Sequence, residues 1–168
     1  AVANSDYPVV IVGAGPIEAE LKAHAERLGL KNVLFLGALG EDDKVALLTL
    51  CYAVAFPSHL RSEAFGISLL EGAMYGKPMI SSEIGTGTTY INIDGDTGLV
   101  VPPSDPQALG EAMRKLWDNP QMAAEMGKRA EARYWELFSS ETMAANYLSL
   151  YEELAARRAV APLAQLSA

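Results

Sequence analysis

Short, uninterrupted apolar runs alternate with amphipathic stretches over the first hundred residues, and this constrains the fold more than any other feature. Residues 8–12 (PVVIV), 32–36 (NVLFL), 53–56 (AVAF), 78–81 (PMIS) and 99–101 (LVV) read as five strands. A run apolar on both sides needs cover on both faces. Such runs alternating with helices predict a Rossmann-like α/β fold, a parallel sheet with helices on both faces.

The punctuation between the runs agrees. Gly13-Ala14-Gly15-Pro16 closes the first strand, and a helix follows from Pro16 or Ile17 to about Leu28, with Pro16 in its first turn and Gly29 at its end. Glu41–Leu50 reads as a helix with acids in its first turn, where the helix dipole favours them. Residues 65–75 form a helix stopped by Gly76. After Asp105, a suitable N-cap, and Pro106, a suitable first helical residue, three helices are expected at 106–118, 120–136 and 139–157. Ser139 and Ser140 can cap the last one, where Tyr147, Leu148, Leu150, Tyr151 and Leu154 make an apolar stripe. Residues 1–157 are thus read as one domain and 158–168 as a tail.

The 168 residues suit a single core. No apolar run approaches the roughly 20 residues that span a bilayer, and AVANSDYP lacks the basic start and apolar centre of a signal peptide. The single cysteine, Cys51, permits no intrachain disulfide; lying in LLTLCYAVAF, it is expected to be buried. A cytoplasmic setting fits. The net charge of −8 and pI near 4.7 argue against a general nucleic-acid binder. They leave room for a phosphate-bearing ligand, which backbone amides at a helix N-terminus hold without net positive charge.

Ligands of open parallel sheets bind beyond the carboxyl ends of the strands, which directs attention to the loops at 13–16, 37–44, 57–66 and 82–98. The most informative stretch is PSHLRSEAFGISLLEGAMYGKPMIS, residues 57–81. Glu63 precedes a helix and Glu71 lies about two turns inside it, an axial separation of at most about 12 Å. Two carboxylates so placed can accept hydrogen bonds from hydroxyls at the two ends of a nucleotide-diphosphate sugar. The amides of Phe65, Gly66 and Ile67 between them can hold an anion or a sugar oxygen, and Gly66 admits close approach. On chemistry alone the pair can equally be two solvated acids. However, Glu71 is flanked by Leu69, Leu70, Ala73 and Met74, and a carboxylate in such surroundings needs a partner.

The segment from Glu63 to Glu71 followed by GAMYGKP closely resembles the Glu-x7-Glu signature of glycosyltransferase family four. The GxGP loop, FLG, the strand ending in PS, and DGDTGLVVPPSDP occur in the same order around it, so the resemblance covers about residues 8–154. It implies the C-terminal, donor-binding half of a GT-B-fold enzyme that retains anomeric configuration and needs neither metal nor cofactor, the nucleotide-diphosphate sugar being its substrate. It assigns Glu63 a catalytic role at the transferred sugar, Glu71 to the ribose hydroxyls, and the Phe65, Gly66 and Ile67 amides to the sugar. The base pocket would lie just after FLG, at Leu39, Glu41 and Lys44. An acid here can accept from guanine N1–H and N2–H₂, and Glu41 is the candidate; first-turn acids favouring a helix dipole are the bland alternative. Gly13 and Gly15 remain weaker donor-site candidates. The run RSEAFGISLLEGAMYGKPMISSEIGTGTTYIN looks like bacterial mannosyl- and rhamnosyltransferases of O-antigen or related lipopolysaccharide synthesis. That suggests GDP-mannose or GDP-rhamnose, with UDP-hexose the alternative.

Other signals are weaker. VVIVGAGPIEAE imitates a dinucleotide fingerprint, but Glu18 stands where its third small residue belongs. Asp94-Gly95-Asp96 imitates a metal-binding DxD, yet turn chemistry explains it, and no metal site is expected. His24 is expected on the surface, His59 as a loop-stabilising residue, and Arg61 as a solvated one. Gly85-Thr86-Gly87-Thr88-Thr89 can be an ordered loop or a phosphate cradle.

Family members usually begin this half with another strand, central in a 3-2-1-4-5-6 order, and a following Arg and Lys that grip the diphosphate. No residue here matches them. The expectation is a piece of a longer protein whose N-terminal domain binds a saccharide or lipid-linked acceptor, peripheral at the inner face of the membrane. With the first strand apparently lacking, apolar sheet edges would be exposed and self-association favoured. The alternative is a non-catalytic module that binds nucleotide or a partner protein.

Overall fold

The computed structural model describes residues 1–3 and 5–160, the last three by their helical backbone alone. Five strands, β1 (Val9–Val12), β2 (Val33–Gly37), β3 (Val54–Phe56), β4 (Met79–Ser82) and β5 (Gly98–Val101), alternate with α1 (Glu18–Arg27), α2 (Glu41–Leu50), α3 (Ile67–Met74) and the short α4 (Thr88–Ile91). Then come α5 (Pro106–Asp118), α6 (Pro120–Leu137) and α7 (Ser140–Val160). Residues 161–168, most of the expected tail, lie outside the described residues.

All pairing is parallel, as expected, but in two ladders rather than one sheet: β1 with β2, and β3-β4-β5. Among the described residues no strand lies between β1 and β3 to join the two ladders.

The core belongs to the three-stranded ladder. β4 is buried along its whole length. On one side Ile80, Leu99 and Val101 pack with Ala112, Leu116, Ala123 and Met126 of α5 and α6. Met79 joins Leu69 and Ala73 of α3, Ile91 and Ala130 in a second cluster. Two close approaches fix this packing. A Cβ on Gly127 would stand 2.1 Å from the Gly76 carbonyl oxygen, and one on Gly98 2.0 Å from that of Met79. Asp105 caps α5 by accepting from Ala108 N–H at 2.9 Å.

Several boundaries move. The helix expected at 65–75 starts at Ile67, because Gly66 takes φ +96° and turns the chain just before it. Residues 88–91, read as loop, form α4, held by Gly87 N–H donating to Ala64 C=O at 2.9 Å. Cys51, expected to be buried, is only half-buried, and that burial still pushes its thiol pKa up. The stripe on α7 is exposed at Tyr147, Leu148, Leu150, Tyr151 and Leu154.

Candidate functional site

Glu71 is carried by α3, and α3 is pressed against β3 at Gly72, where an added Cβ would meet the Val54 side chain at 3.0 Å. Leu69 and Ala73 anchor the inner face of the helix, so Glu71 leaves it at the half-buried margin. The partner its apolar flanks call for is Lys44: its Nζ donates to Glu71 Oε1 at 2.7 Å. The same ammonium stands 3.0 Å from Glu41 Oε2, one turn back on α2. Hydrogen bonds from Lys44 to Glu71 first, then to Glu41, raise the ammonium pKa to about 12. Three charged residues proposed for base and ribose recognition thus form one array, though a 27-residue gap separates Lys44 from Glu71.

Glu63 lies one loop earlier and folds back to accept from Phe65 N–H at 3.3 Å. Two groups expected to face the sugar are therefore bonded to each other here. The N–H groups of Gly66 and Ile67 have no partner among the described residues. They are the unsatisfied donors a helix start presents. The left-handed Gly66 is wedged against Leu69, Phe56 and Thr88, where an added Cβ would meet Leu69 at 3.1 Å.

Leu39 is half-buried in the turn before α2. Gly13, with φ +128°, and Gly15 have open space around them. Gly13 N–H donates to Gly37 C=O at 2.8 Å, and no hydrogen bond among the described residues joins this loop to the acids. Two hollows, of about 580 and 200 Å³, are lined by other residues, His59 among those of the smaller. Glu63 and Glu71, both half-buried, line neither.

The remaining candidates resolve structurally. Asp94 accepts from Val100 N–H at 2.9 Å while Asp96 pairs with Arg129 Nε at 2.7 Å, so the two carboxylates serve different partners. His24 is exposed beside Arg27. Arg61 lies against Gly85, where an added Cβ would stand 2.8 Å from its guanidinium. Thr88 is buried at the start of α4 rather than lining a cradle. No helix of the described residues is long and apolar enough to cross a membrane.

A family model described as Glycosyl transferases group 1 matches residues 1–133. The chain belongs to that family. D-rhamnosyltransferase WbpZ of Pseudomonas aeruginosa is 71% identical over 140 residues, covering 83% of this chain and 37% of that protein. O-antigen chain mannosyltransferase C of Escherichia coli is 51% identical over 154 residues, covering 92% of this chain and 42% of that one. The crystal structure of Anabaena HepE in complex with UDP superposes with a TM-score of 0.79 at 24% identity, over 88% of this chain and 41% of that one. At that identity the likeness speaks for the fold, the Rossmann-like half of a GT-B glycosyltransferase. This member of the glycosyl transferases group 1 family thus spans about two fifths of the relatives it matches.

The sequence marks Lys44 for the base and Glu71 as needing a partner, but no local spacing joins the two.

Proposed function

We propose that this chain is the donor-binding lobe of a retaining hexosyltransferase that moves mannose or rhamnose from a nucleotide-diphosphate sugar to a saccharide or lipid-linked acceptor in lipopolysaccharide synthesis. The observation that carries the reading is the placement of Glu71, Lys44 and Glu41 in one array, one loop from Glu63 and the free amides of Gly66 and Ile67. Glu71 accepts from the ribose hydroxyls. Glu41, Leu39 and Lys44 border the base, and Gly13 and Gly15 leave the backbone open beside it. Glu63, released from Phe65 N–H, turns to the transferred sugar and acts there with the 65–67 amides. The chemistry is positioning and charge stabilisation without metal, and basic groups outside this chain meet the leaving diphosphate. The names of the rhamnosyl- and mannosyltransferase relatives favour rhamnose or mannose as the sugar; in this reading the donor is a GDP-sugar and the enzyme works in the cytoplasm at the inner face of the membrane.

Calorimetric titration of the full-length protein with GDP, UDP and ADP tests the donor, and GDP should bind tightest. Glu71→Gln should weaken the preferred nucleotide by about 1–3 kcal/mol, the scale of a hydrogen bond to a charged group. Unchanged affinity removes Glu71 from the site. Glu63→Gln should lower kcat more than nucleotide affinity, because its partner is the moving sugar. The opposite pattern reverses the two acids.

A further inference from the structure

α2 holds no buried residue, so apolar packing does little to fix where it stands beside α3. Two lysines make polar links instead. Lys77 Nζ donates to Thr49 C=O at 2.9 Å near the end of α2, and Lys44 Nζ reaches Glu71 Oε1 at 2.7 Å near its start. Lys44 is itself rooted by its backbone, its N–H donating to Gly40 C=O at 3.0 Å. An ammonium has three donors and a carboxylate two oxygens. With Oε1 occupied by Lys44, Glu71 keeps Oε2 for a ligand and loses the freedom to swing along the helix surface. Glu41 holds the same ammonium from the other side at 3.0 Å. Lys44 therefore sets both the direction of the Glu71 carboxylate and its spacing from the turn that precedes α2.

We infer that Lys44 is the positioning residue of the ribose-binding carboxylate: by pinning Glu71 Oε1 it presents Oε2 to the ribose diol, and so determines how strongly the site prefers a ribonucleotide to its deoxy analogue. This rests on Glu71 accepting from the ribose, and it gives Lys44, which borders the base, a second role toward a protein group.

The experiment uses the full-length protein and whichever of GDP, UDP or ADP binds it tightest, beside the 2′,3′-dideoxy analogue of that nucleotide. The quantity read is the ratio of the two affinities, in wild type, Lys44→Met, Glu71→Gln and the double variant. Wild type should favour the ribonucleotide. Lys44→Met should shrink the ratio several-fold, mainly through weaker ribonucleotide binding, and should shrink it no further in the Glu71→Gln background. Lys44→Gln serves as a second variant of similar length, and a melting temperature for each protein certifies the fold. Equal losses for both nucleotides on Lys44→Met would reduce Lys44 to a structural tie and overturn the inference. A ratio that rises would make Lys44 a competitor of the ribose, which overturns it too. If Glu71→Gln itself leaves the ratio unchanged, the ribose assignment of Glu71 falls and takes this inference with it. A ratio that responds to Glu71→Gln but not to Lys44→Met removes Lys44 alone.

Discussion

The two ladders are built from similar residues and end in opposite environments. β4 has no exposed residue, and Met79, Ile80, Leu69 and Leu116 are closed off from solvent by α3, α5 and α6. β1 exposes Val10, Ile11 and Val12, β2 exposes Leu34 and Leu36, and the helices that follow them contain no buried residue. An apolar run is a demand for cover. The second ladder meets it with two long helices and two glycine contacts that bring backbones together; the first lacks both.

The sharpest way to break this contrast is to shorten one leucine in each region. Leu116→Ala should cost about 2–5 kcal/mol, because a fully enclosed leucine leaves a cavity that its neighbours cannot fill. Leu36→Ala should cost about 1 kcal/mol or less, its side chain being nearly half in water already. Denaturant unfolding of both variants measures the difference. Equal losses would mean that the β1-β2 region is covered in solution, by further protein, by a second copy or by its own rearrangement.

A smaller effect probes how the covered region handles polar groups. Asn92 is fully buried; its amide N–H groups donate to Ser81 Oγ at 2.9 Å and Leu99 C=O at 3.0 Å, and Thr97 Oγ1 donates to its Oδ1 at 3.2 Å. Asn92→Leu strips partners from three enclosed groups and should cost about 1–3 kcal/mol. A neutral or stabilising result would show that apolar packing alone defines this core.

These particulars mark what the sequence could tell. The alternation of apolar runs located every strand within a residue or so, and Asp105-Pro106 marked the start of α5, because local chemistry governs both. The grouping of strands into two ladders was only half legible: the exposed apolar edges were anticipated, but the division follows from which strand lies between which. The start of α3 was misplaced because Gly66 uses a left-handed turn that no apolar period reveals. At the candidate site, Glu63, Glu71 and the amides between them are visible as a motif because they lie within one segment. The bond from Lys44 to Glu71 crosses 27 residues and two helices, and periodicity carries no information over that distance.

The smallest expected effect concerns that bond as a tie between the sparsely covered region and the covered one. Lys44 and Glu71 are each about one-third exposed, so solvent screens their attraction and the tie contributes modestly to stability. Its pH dependence has a definite sign. The folded-state pKa of Lys44 lies above its ordinary value of 10.5, at about 12, because the carboxylates of Glu71 and Glu41 favour the charged form. The contribution is then fully present below 10.5 and is lost as pH rises through about 12. Melting temperatures of wild type and Lys44→Met, compared at each pH, should differ by a small constant amount from pH 7 to 10 and converge above that. Taking the difference cancels the pH dependence that the two proteins share. A gap that closes between pH 7 and 9 would mean that Lys44 loses its proton early, and therefore that the two regions are not joined through this ammonium.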